Sequence, residues 1–207
     1  MNITVELLRS IDASEDGIRA FKAKFPSGEA TWAELVAAAE TGVEKDRLVW
    51  LAFCCPAEVA VWAERVAAQR NDFDRTRLGL FCPGDVEGAT WKARLALQYR
   101  ACDREALGRC CPVGVKGATW KARLAVQRDA GARALLGRCC PAGVKGATWE
   151  VRLALQHDAM ARSDFGRCCP AGVEGATWEV RLAQQGSDYA RAWFIQECPS
   201  GVEGDPR

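Results

Sequence analysis

The chain has 207 residues, of which 49% are hydrophobic, and its 28 Lys and Arg side chains nearly balance 27 Asp and Glu side chains. This composition is typical of a folded globular protein and excludes a disordered chain. Charges at Glu6, Arg9 and Asp12 argue against a secretory signal, and the longest apolar region, 48–63, is interrupted by a proline and a glutamate. We therefore predict a cytoplasmic protein that does not bind a membrane.

The chain contains eleven cysteines, and eight of them form adjacent pairs. Neighbouring cysteines rarely satisfy disulfide geometry, and an odd number cannot be fully paired. We expect reduced thiols, which is typical of a reducing compartment.

Charge is unevenly distributed along the sequence. Residues 84–145 carry twelve Lys and Arg against five Asp and Glu, whereas residues 1–50 and residues 146–207 each carry six against nine. A basic centre therefore lies between two acidic ends.

The N-terminal segment predicts a short helix followed by a capped second helix. Residues 4–11, TVELLRSI, are expected to form the first, which would cap the structure. The stretch DASEDG that follows resembles half of a calcium-binding loop. However, Ala23 occupies the position of the essential glutamate, so Ser14 is better interpreted as a helix N-cap.

A 29-residue repeat then dominates the sequence. Six tryptophans are separated by 30, 29, 29, 29 and 29 residues, and seven prolines recur at intervals of 27–30 residues. The repeat tryptophans are Trp32, Trp62, Trp91, Trp120, Trp149 and Trp178. Self-similarity at a fixed period of this length indicates a repeat architecture.

Each repeat predicts two short helices. Residues 119–127, TWKARLAVQ, have a helical spacing with Thr119 as N-cap, and we name this helix A. Helix B covers residues 131–140 and ends at Pro141, which cannot continue a helix. In each B helix, the residue four positions before the last cysteine, or before the residue that replaces this cysteine, is apolar and should be the core residue of that helix. These residues are Phe21, Leu51, Leu78, Leu107, Leu136, Phe165 and Phe194.

We therefore predict an all-α fold, an α-solenoid of about six 29-residue helix-turn-helix repeats that share one core. The single repeat domain would cover residues 1–207. Residues 1–30 would form the N-terminal cap and first B helix, 31–187 the tandem repeats, and 188–207 a C-terminal capping helix and tail. Cys111, Cys140 and Cys169 are predicted to fill the core, and the first cysteine of each pair to face the next repeat.

Two sets of arginines recur with the repeat. The arginine ladder lies three residues after each repeat tryptophan from Trp62 onward, and a glutamine follows four residues after each arginine. It consists of Arg65, Arg94, Arg123, Arg152 and Arg181. We expect these arginines to stack on indole rings and the glutamines to bond the backbone of the linker. A second ladder, Arg109, Arg138 and Arg167, precedes the cysteine pairs and could line a binding surface.

The basic centre supplies the candidate binding residues. They are Lys92, Arg109, Lys116, Lys121, Arg123, Arg138 and Lys145, with Arg128 beside them. Such a belt could bind an acidic protein surface or the backbone of a nucleic acid. Glu150 and Glu179 replace Lys92 and Lys121 in later repeats, which argues against nucleic-acid binding, and an acidic protein partner explains the belt equally well.

Catalytic and metal chemistry find little support in the sequence. No phosphate-binding loop and no nucleophile next to a base is present, and His157 is the only histidine. The cysteine spacing differs from the C-x₂₋₄-C pattern of zinc sites, although a Cys-rich metal sensor stays a third hypothesis. We expect no cofactor and no enzymatic activity.

The repeats resemble the HEAT-like and leucine-rich-variant class of short αα solenoids. Residues 12–52, with DASEDGIRAFKAKFPSGEATWAEL followed by RLVWLA, resemble a module found in phage and bacterial proteins of unknown role. This resemblance implies a phage setting, in which the chain would act in the host cytoplasm as an inhibitor of a host defence complex, of the anti-CRISPR type. A protein partner is thus expected, and a homo-oligomer is compatible with the repeat.

Overall fold

The computed structural model describes residues 2–39 and 42–207 and shows the predicted all-α repeat solenoid. Packing divides the described residues into two compact units, one ending at Gln98 and one beginning at Tyr99. The repeat pattern, which predicts one domain over 1–207, contains no signal for this division. Within the described part of the chain, no helix is long and apolar enough to cross a membrane.

The first unit combines the N-terminal segment with the first repeats. Two short antiparallel strands, β1 (Ile3–Thr4) and β2 (Glu29–Ala30), join the two ends of the N-terminal segment and were not predicted. The helices are α1 (Val5–Ser10), α2 (Glu15–Lys24), α3 (Trp32–Ala38), α4 (Gly42–Cys54), a 3₁₀ turn (Ala57–Val59), α5 (Trp62–Ala67), α6 (Asp72–Phe81) and α7 (Trp91–Leu95). Helix α1 confirms the predicted N-terminal helix, and Ser14 caps α2 by accepting a hydrogen bond from the Gly17 amide at 3.2 Å.

The second unit contains the most regular repeats. Its B helices are α8 (Ala101–Cys110), α10 (Ala130–Cys139), α12 (Ala159–Cys168) and α14 (Asp188–Glu197). Its A helices are α9 (Trp120–Ala125), α11 (Trp149–Leu153) and α13 (Trp178–Leu182). Successive B helices pack side by side, and each A helix packs on the B helix that precedes it. The predicted helix types are confirmed, with boundaries that differ by one or two residues.

The linker between B and A turns on two glycines. In the repeat that contains Pro141, Gly143 and Gly146 have φ values of 77° and 81°, a left-handed conformation that side chains disfavour. The backbone N–H of Trp120 donates to the Lys145 oxygen in the following linker at 3.1 Å. Each linker is thereby attached to the N-terminus of the preceding A helix, because Trp149 and Trp178 make the equivalent bonds at 2.9 and 2.8 Å.

The buried apolar residues of the second unit form clusters that each lie within one repeat. Trp149 packs with Phe165 of the next B helix, at 4.5 Å between ring centroids, and with Cys169 and Val173. All seven predicted B-helix core residues, from Phe21 to Phe194, are buried. The prediction of one core shared along the array is therefore not confirmed for these repeats, whose clusters meet their neighbours only through partly buried side chains such as Ala142 and Val180.

The cysteine pairs divide between core and surface. The second cysteines, including Cys111, Cys140 and Cys169, are buried and have no exposed surface, which confirms their predicted role. The first cysteines were predicted to face the next repeat, and this was wrong. Cys54, Cys110, Cys139 and Cys168 are exposed, because the helix ends at the first cysteine and the extended residue that follows turns only the second thiol inward.

Candidate binding surface

The arginine ladder is buried inside the repeats. Its five members have no exposed surface. The guanidinium of Arg152 donates to four backbone oxygens, those of Ala147 at 2.9 Å, Gly137 at 3.3 Å, Cys140 at 2.6 Å and Pro141 at 2.7 Å. It also lies 5.7 Å from the centre of the Trp120 ring, as the predicted stacking requires. Its charge is therefore held by peptide dipoles rather than by a carboxylate.

The proline that ends helix B explains why an arginine is needed. In a continuing helix the Gly137 oxygen would accept a hydrogen bond from the N–H four residues later, but that residue is Pro141, which has no N–H. Nη1 of Arg152 supplies the missing donor. Nη1 of Arg94 and of Arg123 bonds the equivalent glycine oxygens at 3.1 and 3.0 Å. The arginine thus caps the C-terminus of the preceding B helix, where a cation is electrostatically favoured.

The repeat glutamine completes this cap. Gln156 Nε2 donates to the oxygens of Ala134 and Arg152, at 3.2 Å each. It passes so close to helix B that a Cβ on Gly137 would lie 2.7 Å from Nε2 and 3.1 Å from the Arg152 oxygen. Proline, glycine, arginine and glutamine are therefore one structural unit. The glutamines bond backbone oxygens, but those that Gln156 binds lie in α10 and α11, so the predicted bond to the linker backbone was wrong.

Arg123 must consequently be removed from the candidate belt. It was predicted to contact a partner, but it has no exposed surface and bonds the oxygens of Ala118, Gly108, Cys111 and Pro112. Burial also lowers the pKa of the equivalent Arg152, a consequence of the desolvated guanidinium. These arginines are structural.

Arg207 makes the same kinds of contact as the ladder arginines, although it does not follow their 29-residue spacing. Its guanidinium lies 4.9 Å from the centre of the Trp178 ring and donates to the oxygens of Ile195 and Cys198. Cys198 corresponds to Cys140, whose oxygen Arg152 binds. Asp205 accepts from the same guanidinium at 2.8 Å. The last described helix is therefore capped in the same way as the others.

The second ladder is partly covered by the chain itself. Arg167 pairs with Asp164 at 2.7 Å and with Glu197 at 3.3 Å, and it lies over the ring of Trp193. Arg138 lies 3.8 Å from Asp164 and retains 30% of its side-chain exposure. Arg109 is partly buried. Arg138 and Arg167 are thus engaged with acidic groups of the chain, which weakens them as binding residues.

A third arginine set escaped the sequence analysis. It occupies the fourth position of each B helix in the second unit and is exposed. Its members are Arg104, Arg133, Arg162 and Arg191. The same 29-residue interval would have found it, but it lies apart from the tryptophan and cysteine motifs that defined the repeat.

The lysines are the belt residues that stay free for a partner. Lys92 in the first unit is exposed. In the second unit, Lys116, Lys121 and Lys145 are exposed and form no ion pair within the described residues; we name them the lysine cluster. Lys121 follows Trp120, whose N–H binds the Lys145 oxygen, so this bond holds two lysines at one helix end. Arg128, by contrast, pairs with Glu105 at 2.6 Å.

The same edge becomes acidic in the next two repeats. Glu150 and Glu174 occupy the positions of Lys121 and Lys145, and Glu179 and Glu203 repeat them once more; we name these four the glutamate cluster. All four are exposed. Glu150 approaches its linker closely, since a Cβ on Gly175 would lie 3.8 Å from Oε1 of Glu150. Charge of one sign is thus grouped in pairs along this edge.

The remaining features offer no comparable site. Across residues 2–39 and 42–207, no three His, Cys, Asp or Glu side chains are grouped to hold a metal ion. His157 is exposed and lies 3.1 Å from the Ala130 oxygen. These placements give the metal hypothesis no geometric support.

An apolar cavity of about 480 Å³ lies within the first unit. Phe21, Phe25 and Trp50 contribute to its walls, together with Leu35 and Ala39. The last two stand where later repeats carry the ladder arginine and its glutamine. At the rim, the Lys24 ammonium pairs with Glu44 at 2.9 Å. We attribute the cavity to these two apolar side chains, which stand in place of the longer arginine and glutamine of later repeats.

No protein-family model, curated protein or solved structure matches this chain. The resemblance of residues 12–52 to phage and bacterial modules therefore stays a prediction. The candidate surface must be judged from its own geometry and charge.

Proposed function

We propose that the chain is a non-catalytic repeat protein that binds a partner protein through its lysine cluster. The partner's contact surface would be acidic. One observation carries this proposal, namely that the bond from Trp120 to the Lys145 oxygen brings exposed Lys121 and exposed Lys145 to one helix end, where neither forms an ion pair with any described residue. Like charges held side by side repel each other, so the pair is unfavourable for the isolated chain.

The repeats themselves show that these lysines are not needed for folding. The following repeats carry glutamates at both positions, yet their linkers make the same bonds to Trp149 and Trp178. A residue that the fold does not require, placed where it costs stability, is best explained by a contact outside the chain. The form of this function that the sequence resemblance suggests is an inhibitor that occludes a host defence complex.

Affinity purification from host lysate, with and without nuclease, tests the proposal. We expect the wild-type chain to capture a defined protein that survives nuclease, and the K121E/K145E variant to lose it. The R133E/R162E variant, which changes the same number of charges at exposed B-helix positions, should retain it. Capture of nucleic acid alone, lost after nuclease or at raised salt, would replace the proposal with binding to a phosphate backbone.

A further inference from the structure

The charged edge of the second unit has a self-complementary order. Read along the repeats, it presents Lys116 first and the pair Lys121 and Lys145 second. The glutamate pairs Glu150 with Glu174 and Glu179 with Glu203 follow as the third and fourth positions. Each step is one repeat, so the basic half and the acidic half have the same spacing.

We propose that the acidic surface recognised by the lysine cluster is the glutamate cluster of a second copy of this chain. Two such edges placed antiparallel around a twofold axis bring opposite charges together at every position. The axis would pass between the N-termini of α9 and α11. Lys121 and Lys145 then face Glu150 and Glu174 of the other copy, and the outer positions pair in the same way. Such an isologous contact is the commonest way in which identical chains associate.

Both clusters are available for this contact. All seven side chains are exposed, and none of them takes part in an ion pair in the part of the chain that the structure describes. The hydrogen bond that Glu150 accepts from the Thr148 hydroxyl at 2.9 Å leaves its charge at the surface. By contrast, the B-helix surface of this unit satisfies several of its charges internally, as Arg167 does with Asp164.

The two clusters are also held in place by the backbone. The bonds from Trp120 to the Lys145 oxygen and from Trp149 to the Glu174 oxygen fix each linker residue beside its A helix. Both bonds have the same geometry within 0.2 Å, at 3.1 and 2.9 Å. Because the fold presets the spacing of both clusters, little order has to be acquired on association.

The inference rests on the proposed function, and charge exchange tests it. Sedimentation of the full chain is measured with a reductant present, so that exposed cysteines cannot link copies. We expect the wild-type chain to dimerise at low salt, with a dissociation constant that rises about tenfold or more between 0.02 and 0.5 M salt. K121E/K145E and E150K/E174K should each weaken the dimer by a similar or larger factor.

Recombining the two charge exchanges makes the test specific. An equimolar mixture of K121E/K145E and E150K/E174K lets one copy present only acidic central positions and the other only basic ones. The mixture should therefore associate more tightly than either variant alone. The chain that carries all four changes should recover the homodimer, while R133E/R162E should leave it unchanged. Circular dichroism of each variant establishes that it is folded.

The outcomes separate this inference from the proposed function. A wild-type chain that stays monomeric at every salt and protein concentration overturns the inference, as does a dimer that ignores both exchanges. If the wild-type chain is monomeric but the K121E/K145E variant loses a protein that the wild-type chain captures, the proposed function stands. The partner of the lysine cluster is then a different protein. If neither the capture nor the association depends on these lysines, both proposals fail.

Discussion

Replacing Arg152 with methionine tests the structural role assigned to the arginine ladder. Methionine keeps much of the side-chain length but removes the charge and all donors. The change leaves four buried oxygens without the guanidinium that binds them, including that of Gly137, which has no helical N–H partner. Stacking on Trp120 is also lost.

The expected cost follows from opposing contributions. A hydrogen bond from a charged donor contributes about 1.5–3 kcal/mol, so four of them amount to about 6–12 kcal/mol. Burying the charge itself costs several kcal/mol, which methionine avoids. The difference is a loss of about 4 kcal/mol in the free energy of unfolding. That is a large part of the 5–15 kcal/mol that is usual for a domain, so the second unit should be close to unfolding.

Urea unfolding followed by circular dichroism measures this loss. Arg133→Met is the matched control, since Arg133 lies on α10, the helix whose end Arg152 caps, but is exposed and should change stability by less than about 0.5 kcal/mol. If Arg152→Met costs no more than the control, the carbonyl contacts do not stabilise the repeat. The ladder would then require another explanation.

Three further predictions address the core, the thiols and the lysines. Gly137→Ala should lower the free energy of unfolding by about 1–3 kcal/mol in the urea assay, because the new Cβ meets Gln156. Gly131→Ala in the same helix has room for a Cβ and should raise it by up to about 1 kcal/mol. The opposite order would contradict the close approach of Gln156 to helix B. Burial raises the pKa of Cys55 to about 11, so the unfolded chain ionises first and stability should fall from about pH 9 to pH 11, by about 2–3 kcal/mol for this thiol alone. Urea titrations across that range measure the fall, and a flat profile would refute it. Lys121→Glu should leave the melting temperature unchanged or raise it, since an acidic residue is favoured in the first turn of a helix and relieves the repulsion from Lys145; a clear loss in scanning calorimetry would show that the lysine is structural.

The sequence predicts the repeat but not how each repeat is closed. Period, helix type, N-caps and the B-helix core residues follow from spacing, because apolar periodicity reports directly on burial. The burial of Arg123 does not follow from spacing, since a helical wheel places this residue only near the packed face of helix A. Arg123 is drawn inside because Pro112, the equivalent of Pro141, leaves the Gly108 oxygen without a backbone donor. That oxygen lies 15 residues before Arg123 in the chain. That relation becomes visible only when helices A and B are placed together.

The cysteines and the N-terminal strands illustrate two other limits. In an adjacent pair, spacing cannot decide which thiol turns inward, because the answer depends on where helix B ends. Cys139 is its last residue and Cys140 the extended residue after it, and only the latter reaches the core. The pairing of Ile3 with Ala30 joins segments 27 residues apart, and strands of two residues have no periodicity to detect.

The separation of structural and free positions supports the functional argument. Within a repeat, tryptophan, arginine, glutamine, glycine, the second cysteine and proline are each fixed by a contact in the fold. The positions of Lys121 and Lys145 are fixed by none, because their side chains are exposed and only backbone atoms of the linker take part in the repeat. Charges of one sign nevertheless occupy both positions together and change sign together in the next repeat. Local folding gives no reason for two free positions to change in concert, whereas a surface that must match another surface does.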